Sequence, residues 1–150
     1  MNIESSVFKD RGWIPKKYTC DGENVSPPLL FNSIPLNAAS LALICDDPDA
    51  PAGTWVHWVV FNLPQNTKGL PENILSDTAL PGGAKQGVND FRNIGYGGPC
   101  PPSGKHRYYF KLYALDYLLD LEAGATKWQV VQAMKGHIIA EAKLMGMYQR

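Results

Sequence analysis

Two short stretches of this chain carry residues that can do chemistry. In "CDDPDAPAGTWVHWVVFNLP" (Cys45–Pro64), the acids Asp46, Asp47 and Asp49 crowd around Pro48 and Pro51, and His57 sits between Trp55 and Trp58 in an otherwise apolar run. In "GYGGPCPPSGKHRYYFKLYALD" (Gly95–Asp116), His106 and Tyr108 follow a loop of glycines and prolines. Imidazole titrates near neutrality, so each histidine can hold or release a proton at physiological pH. The phenol donates a hydrogen bond, and glycine lets a backbone N–H such as that of Gly98 approach an anion closely. The residue types point to anion binding or to general acid–base chemistry, the first keeping a proton in place and the second moving it.

Those side chains need rigid elements to hold them. "SLALIC" (Ser40–Cys45) is a short, continuous apolar run, the pattern of a strand covered on both faces. "TWVHWVVFN" (Thr54–Asn62) and "KHRYYFKLYALD" (Lys105–Asp116) are rich in aromatic and β-branched residues and predict two more strands. Strict alternation places His57 on one face with Trp55, Val59 and Phe61, and Trp58 on the other. In the third strand it places His106 with Tyr108, Phe110 and Leu112, and turns Arg107 and Tyr109 away. If the strands are neighbours, Asp47, His57, His106 and Tyr108 meet at one end of the core. Each proline also restricts the residue before it, here Asp47 and Ala50, to extended backbone, which stiffens the acidic loop.

Elsewhere the signals are mixed. "NVSPPLLFNSIP" (Asn24–Pro35) reads as an edge or loop-like segment, because Pro27, Pro28 and Pro35 cannot donate ladder hydrogen bonds. The long connection from Pro64 to Phe91 shows only "ENILSD" as a candidate helical turn. Thr126 followed by Gln129 fits a capping box, and Trp128, Val131, Met134, Ile138, Ala142 and Met145 predict one helix running to about Gly146. Strands first and a helix last give a mainly β fold with peripheral helices and a C-terminal helix, in one domain spanning residues 1–150.

Composition removes several function classes. Fourteen basic and fourteen acidic residues cancel, which leaves no electrostatic footprint for nucleic acid or an anionic membrane. No apolar run approaches the roughly 18 residues of a membrane span, and the N-terminus lacks a signal-like stretch. Cys20, Cys45 and Cys100 are odd in number and widely spaced, with no CxxC, so reduced thiols in a cytoplasmic protein are expected. With no HxH, HExxH or cysteine pair, neither a metal nor another cofactor is expected. Cys100, flanked by prolines, and Ser103 lack the strand–turn–helix setting of a nucleophile, so no catalytic residue is assigned.

Taken in order, "NVSPPL", "SLALICDDPDAP", "WVHWVVFNLP", "NDF" (Asn89–Phe91), "GYGGPCPPSGKHRYYFKLYALD" and "GHIIAEAKLMGMY" resemble the phosphatidylethanolamine-binding protein family, which includes the Raf kinase inhibitor proteins. The likeness is to its short prokaryotic branch and covers nearly the whole chain. It implies a Greek-key antiparallel β sandwich with a shallow pocket for phosphate or phosphoryl head groups. By motif it assigns that pocket to Asp47, Trp55, His57, Gly98, His106 and Tyr108, and implies a cis bond before Pro51. The sequence departs from the family in its short "AGT" link to "WVHW" and in Arg92 and Asn93, which follow "NDF" where glycine is usual. The leading reading is a binding protein for a small anionic or phosphorylated ligand, with a kinase or protease as a candidate protein partner and a homodimer allowed. An acid–base hydrolase of small phosphoesters or esters, and a protein-docking inhibitor without a small ligand, remain open alternatives.

Overall fold

The structure, a computed structural model, describes residues 1–76 and 80–150. In chain order its elements are β1 (Asn2–Glu4), β2 (Gly12–Trp13), β3 (Leu29–Asn32), β4 (Ser40–Asp47), β5 (Trp55–Leu63), β6 (Gly69–Leu70), β7 (Lys85–Gln86), β8 (Lys105–Leu115), α1 (Lys127–Met134) and β9 (Ile138–Gln149). The strands form a small sheet in the order β1-β3-β6 and a large sheet in the order β2-β9-β8-β4-β5-β7. All pairs are antiparallel except β2 with β9. The β5-to-β8 connection passes β4 and pairs on its far side, which separates this sandwich from a simple meander.

β4 is buried along its whole length, as its unbroken apolar run predicts. Leu41, Leu43 and Cys45 face the core between the sheets, with Trp58, Val60, Phe110 and Leu112. Ala42 and Ile44 face the opposite way, into a second apolar cluster that α1 closes through Val130 and Met134. Asp46 ends that second face, where its buried carboxylate meets Lys111 of β8 and Lys127 at the start of α1.

Several expectations fail here. The helix starts at the predicted capping box, with Thr126 and Gln129 bonded reciprocally, but ends at Met134. Gly136 then adopts φ 79°, a left-handed conformation that stops a helix, and the rest of the expected helix is β9, paired along the full length of β8. A spacing of four, as from Ile138 to Ala142, is also twice the strand period, so it does not discriminate between the two. Trp128 is consequently 69% exposed and Ile138 41% exposed, and neither is a core anchor. The segment at Leu29–Asn32 is the middle strand of the small sheet and not an edge, since Pro27, Pro28 and Pro35 all lie outside it. The candidate turn at 72–77 runs into residue 77, outside the described residues, and no helix forms over 72–76.

The expectation for cysteine fails as well. Cys20 and Cys100 form a disulfide across 80 positions of sequence, with Cα atoms 5.4 Å apart. Only Cys45 is a free, buried thiol, and burial pushes its pKa well up, which keeps it protonated. The argument from reduced thiols to a reducing compartment therefore loses its premise. Among the described residues no helix is long and apolar enough to cross a membrane.

Candidate functional site

A cavity of about 200 Å³ opens where β4, β5 and β8 end together. It is lined by Asp47, Trp55, His57, His106 and Tyr108, five of the six residues singled out in the sequence, and by Phe91, the Ala50–Pro51 loop and the Cys100–Pro102 wall. The sixth, Gly98, is not among the lining residues. Its N–H donates to Asn24 Oδ1 at 2.8 Å, so it has no donor left for a ligand. Gly98 is needed for packing instead: a Cβ there would lie 2.2 Å from the Tyr18 carbonyl oxygen.

His57 reaches the cavity by a route that strict alternation does not give. Cys45 pairs with Trp58 and Asp46 with Val56, so His57 is an extra residue on β5, a bulge. The bulge resets the alternation. Val59 and Phe61 turn into the cluster beneath α1, while the His57 ring packs edge-on against Tyr108 and Phe91, centroids 5.1 and 5.4 Å away. On β8 the alternation holds: His106 and Tyr108 face the cavity, and Arg107 turns outward onto Asp49 in a two-pronged ion pair.

Asp47 is fixed at both oxygens. Its Oδ1 accepts from the Asp49 N–H at 2.7 Å, and its Oδ2 receives the His106 Nδ1–H at 2.6 Å. The Ala50–Pro51 bond is trans, as are all peptide bonds among the described residues, contrary to the expected cis bond. The chain reverses instead through a turn in which the Gly53 N–H donates to Ala50. The acidic loop thus presents its carboxylate through strand geometry and a side-chain turn at Asp47.

Phe91, which sequence reasoning noted only as part of "NDF", forms a wall against Trp55 and His57. Asp90 accepts from the Val56 N–H at 2.7 Å and Asn89 accepts from the Phe91 and Asn93 N–H groups, which ties this turn to β5. Arg92 has φ 68°, in the left-handed region that favours glycine. The signal for Phe91 was limited to an aromatic following an Asn–Asp pair, and nothing in the sequence related it to β5.

The electrostatics are set by burial. His57 Nδ1 donates to the Gly97 carbonyl at 2.6 Å, which leaves Nε2 as the free position. Burial lowers the His57 pKa below its ordinary 6.5, and the Gly97 carbonyl and the Asp47 charge only partly oppose this. Burial also drives the Tyr108 phenol far above its ordinary range, with Asp47 adding to the effect, so Tyr108 stays a donor at any physiological pH. Among the described residues four buried side-chain polar atoms have no hydrogen-bond partner: Asp46 Oδ1, Trp55 Nε1, His57 Nε2 and Tyr108 Oη. Three of those four belong to residues that line this one cavity. Buried polar groups are normally satisfied, so such a cluster is unusual.

The architecture agrees with the comparisons to known proteins. Residues 4–149 match the family model described as phosphatidylethanolamine-binding protein, so the chain belongs to that family. It is 59% identical over 150 residues to a "UPF0098 protein" of Methanothermobacter thermautotrophicus, covering 100% of this chain and 99% of that one. Among solved structures, a phosphatidylethanolamine-binding protein homologue from Chlamydia trachomatis is 47% identical with a TM-score of 0.91, covering 99% of this chain and 97% of that one. E. coli YbcL, described as a member of the mammalian family, is 33% identical with a TM-score of 0.93, covering 99% and 98%.

Proposed function

We propose that the chain binds a small ligand through an oxyanion, of phosphate or phosphoryl type, in the cavity between Asp47, Trp55, His57, His106 and Tyr108. The observation that carries this reading is the cluster of orphaned atoms: two donors, Trp55 Nε1 and Tyr108 Oη, and the free Nε2 of His57. A buried donor without a partner costs about 1–3 kcal/mol, and a ligand oxygen placed between such donors recovers that cost. The negative charge of Asp47 would oppose an anion, but the His106 Nδ1–H already engages it at 2.6 Å.

The hydrolase alternative is less well supported. Asp47 and His106 resemble the orienting pair of an acyl-transfer site, but the lining residues include no serine or threonine, and Cys100 is held in the disulfide.

The reading fixes a direction of pH dependence. In the free protein His57 titrates below 6.5, so near neutrality Nε2 carries a lone pair that repels a bare oxyanion. Binding must bring a proton to that contact, either on the imidazole or as a P–OH of the ligand. If the proton resides on His57, its pKa rises in the complex. Affinity then increases as pH falls, by about tenfold per unit between the bound and free pKa values, and is flat above the bound one. A sulfate monoester keeps its charge across this range and cannot supply the proton, whereas phosphoethanolamine has a pKa near 6 of its own. Calorimetric titration of both is expected to give tighter binding at pH 6 than at pH 8. Affinity for the sulfate ester that is flat or rises with pH would overturn the role given to His57.

A further inference from the structure

One wall of the cavity hangs on a single covalent link. Cys100, Pro101 and Pro102 line the cavity on that side. The chain before them is held by hydrogen bonds: the Gly97 N–H donates to the His57 carbonyl at 2.9 Å, the Gly98 N–H to Asn24 at 2.8 Å, and the Cys20 N–H to the Pro99 carbonyl at 3.1 Å. The chain after them is held where Gly104 and Arg150 exchange backbone bonds of 2.8 and 3.3 Å. In between, Pro101 and Pro102 have no N–H to donate, and among the described residues no backbone–backbone hydrogen bond reaches residues 100–103. The disulfide from Cys100 to Cys20 is what fixes this wall. Gly97, on the same loop, supplies the carbonyl that accepts from His57 Nδ1 and so leaves Nε2 free for a ligand.

The bridge is also placed to be opened. Both cysteines are half-buried and not sealed in the core, so a thiolate can reach the sulfur atoms. Arg150 Nη1 lies 3.5 Å from Cys100 Sγ, and Asp21 holds the same guanidinium at 3.3 Å. A guanidinium beside a sulfur stabilises the thiolate, and the stabler thiolate is the better leaving group. Exchange is therefore directed, with attack on Cys20 and departure of Cys100. We infer that the Cys20–Cys100 bridge is a redox switch for the cavity: a dithiol reductant opens it, frees the Cys100–Pro102 wall and loosens the hold of Gly97 on His57. One thiolate of the dithiol bonds to Cys20 Sγ as the bridge breaks, and the electron pair of that bond leaves with Cys100. The second thiolate then displaces Cys20 and closes the dithiol's own disulfide, so the dithiol is oxidised as the bridge is reduced. The effect on affinity rests on the oxyanion reading of the cavity, whereas the effect on His57 does not. Coupling is reciprocal, so an oxyanion that prefers the oxidised form also makes the bridge harder to reduce.

Calorimetric titration with inorganic phosphate and NMR of the imidazole rings test this on the full chain, oxidised and after treatment with dithiothreitol. Affinity for phosphate is expected to fall about tenfold on reduction. The variant Cys20→Ser/Cys100→Ser is expected to show the same fall and to be indifferent to reductant. Saturating phosphate should in turn lower the midpoint potential of the wild-type bridge by about 30 mV, the equivalent of that tenfold change. In the reduced and serine forms the His57 ring resonances should shift. Those of His137, bonded to Asp116 at the other end of β8, should stay in place and report that the fold persists. Equal affinity in the oxidised and reduced protein overturns the switch, as does a serine variant that binds like the oxidised chain. If even the oxidised protein takes up no phosphate, the oxyanion reading fails and the His57 resonances decide. Their movement on reduction supports the switch, and unmoved resonances overturn it.

Discussion

Replacing Cys20 and Cys100 together by serine is expected to lower the unfolding free energy by about 4 kcal/mol, because the bridge closes a long loop in the unfolded chain. The two cysteines are 80 positions apart, near the upper end of what loop-closure entropy can contribute in a domain of this size. For a domain of about 150 residues this corresponds to a fall in Tm on the order of 10 °C. The fold should persist, because the same two segments are also joined by non-covalent bonds. Tyr96 Oη donates to the Tyr18 carbonyl, the Gly98 N–H to Asn24, and the Cys20 N–H to the Pro99 carbonyl. Thermal melts of the wild type with and without reductant, beside the double-serine variant, measure the effect. Coincident melts in all three would mean that the bridge does not constrain the unfolded chain.

The second large effect lies in the pair Asp47–His106. Asp47 is 3% exposed and His106 7% exposed, so removing the imidazole strands a buried carboxylate. His106→Ala is expected to cost about 3–5 kcal/mol. Part of that loss should return in Asp47→Asn/His106→Ala, where no charge is left to strand, with a coupling energy of about 1–3 kcal/mol in the double-mutant cycle. Strictly additive losses measured by chemical denaturation would remove the pair as a unit of stability. The bond that orients His106 in the cavity also gives the buried Asp47 carboxylate a hydrogen-bond donor.

The strands at Ser40–Asp47, Trp55–Leu63 and Lys105–Leu115 were legible because their composition and burial agree along their length. Local pattern could also place His106 and Tyr108 on one face, since no bulge intervenes in that part of β8. What failed was set at longer range or by one-residue irregularities. The His57 bulge changes which face the ring occupies without changing the composition of the strand. β9 owes its conformation to a partner strand more than twenty residues away along the chain, which no local period reports. The Cys20–Cys100 bridge depends on the docking of the Cys20 segment against the loop before β8. Gly98 was read as a glycine offering its N–H to an anion, but that N–H donates to Asn24 Oδ1 and the group closest to Gly98 is the Tyr18 backbone.

If the cavity binds an oxyanion, the buried phenol of Tyr108 serves the ligand and not the fold. Tyr108→Phe removes that oxygen and little else. Because Tyr108 Oη has no partner, deleting it relieves a desolvation cost, so Tm should hold or rise, by the equivalent of up to about 1 kcal/mol. Because the ligand oxyanion loses a charge-assisted donor, affinity for inorganic phosphate should fall about 10- to 100-fold. Calorimetric titration and a thermal melt on the same two samples, wild type and Tyr108→Phe at pH 6, read both quantities. Weaker phosphate binding with an equal or higher Tm is the predicted result; a lower Tm with unchanged binding would contradict it.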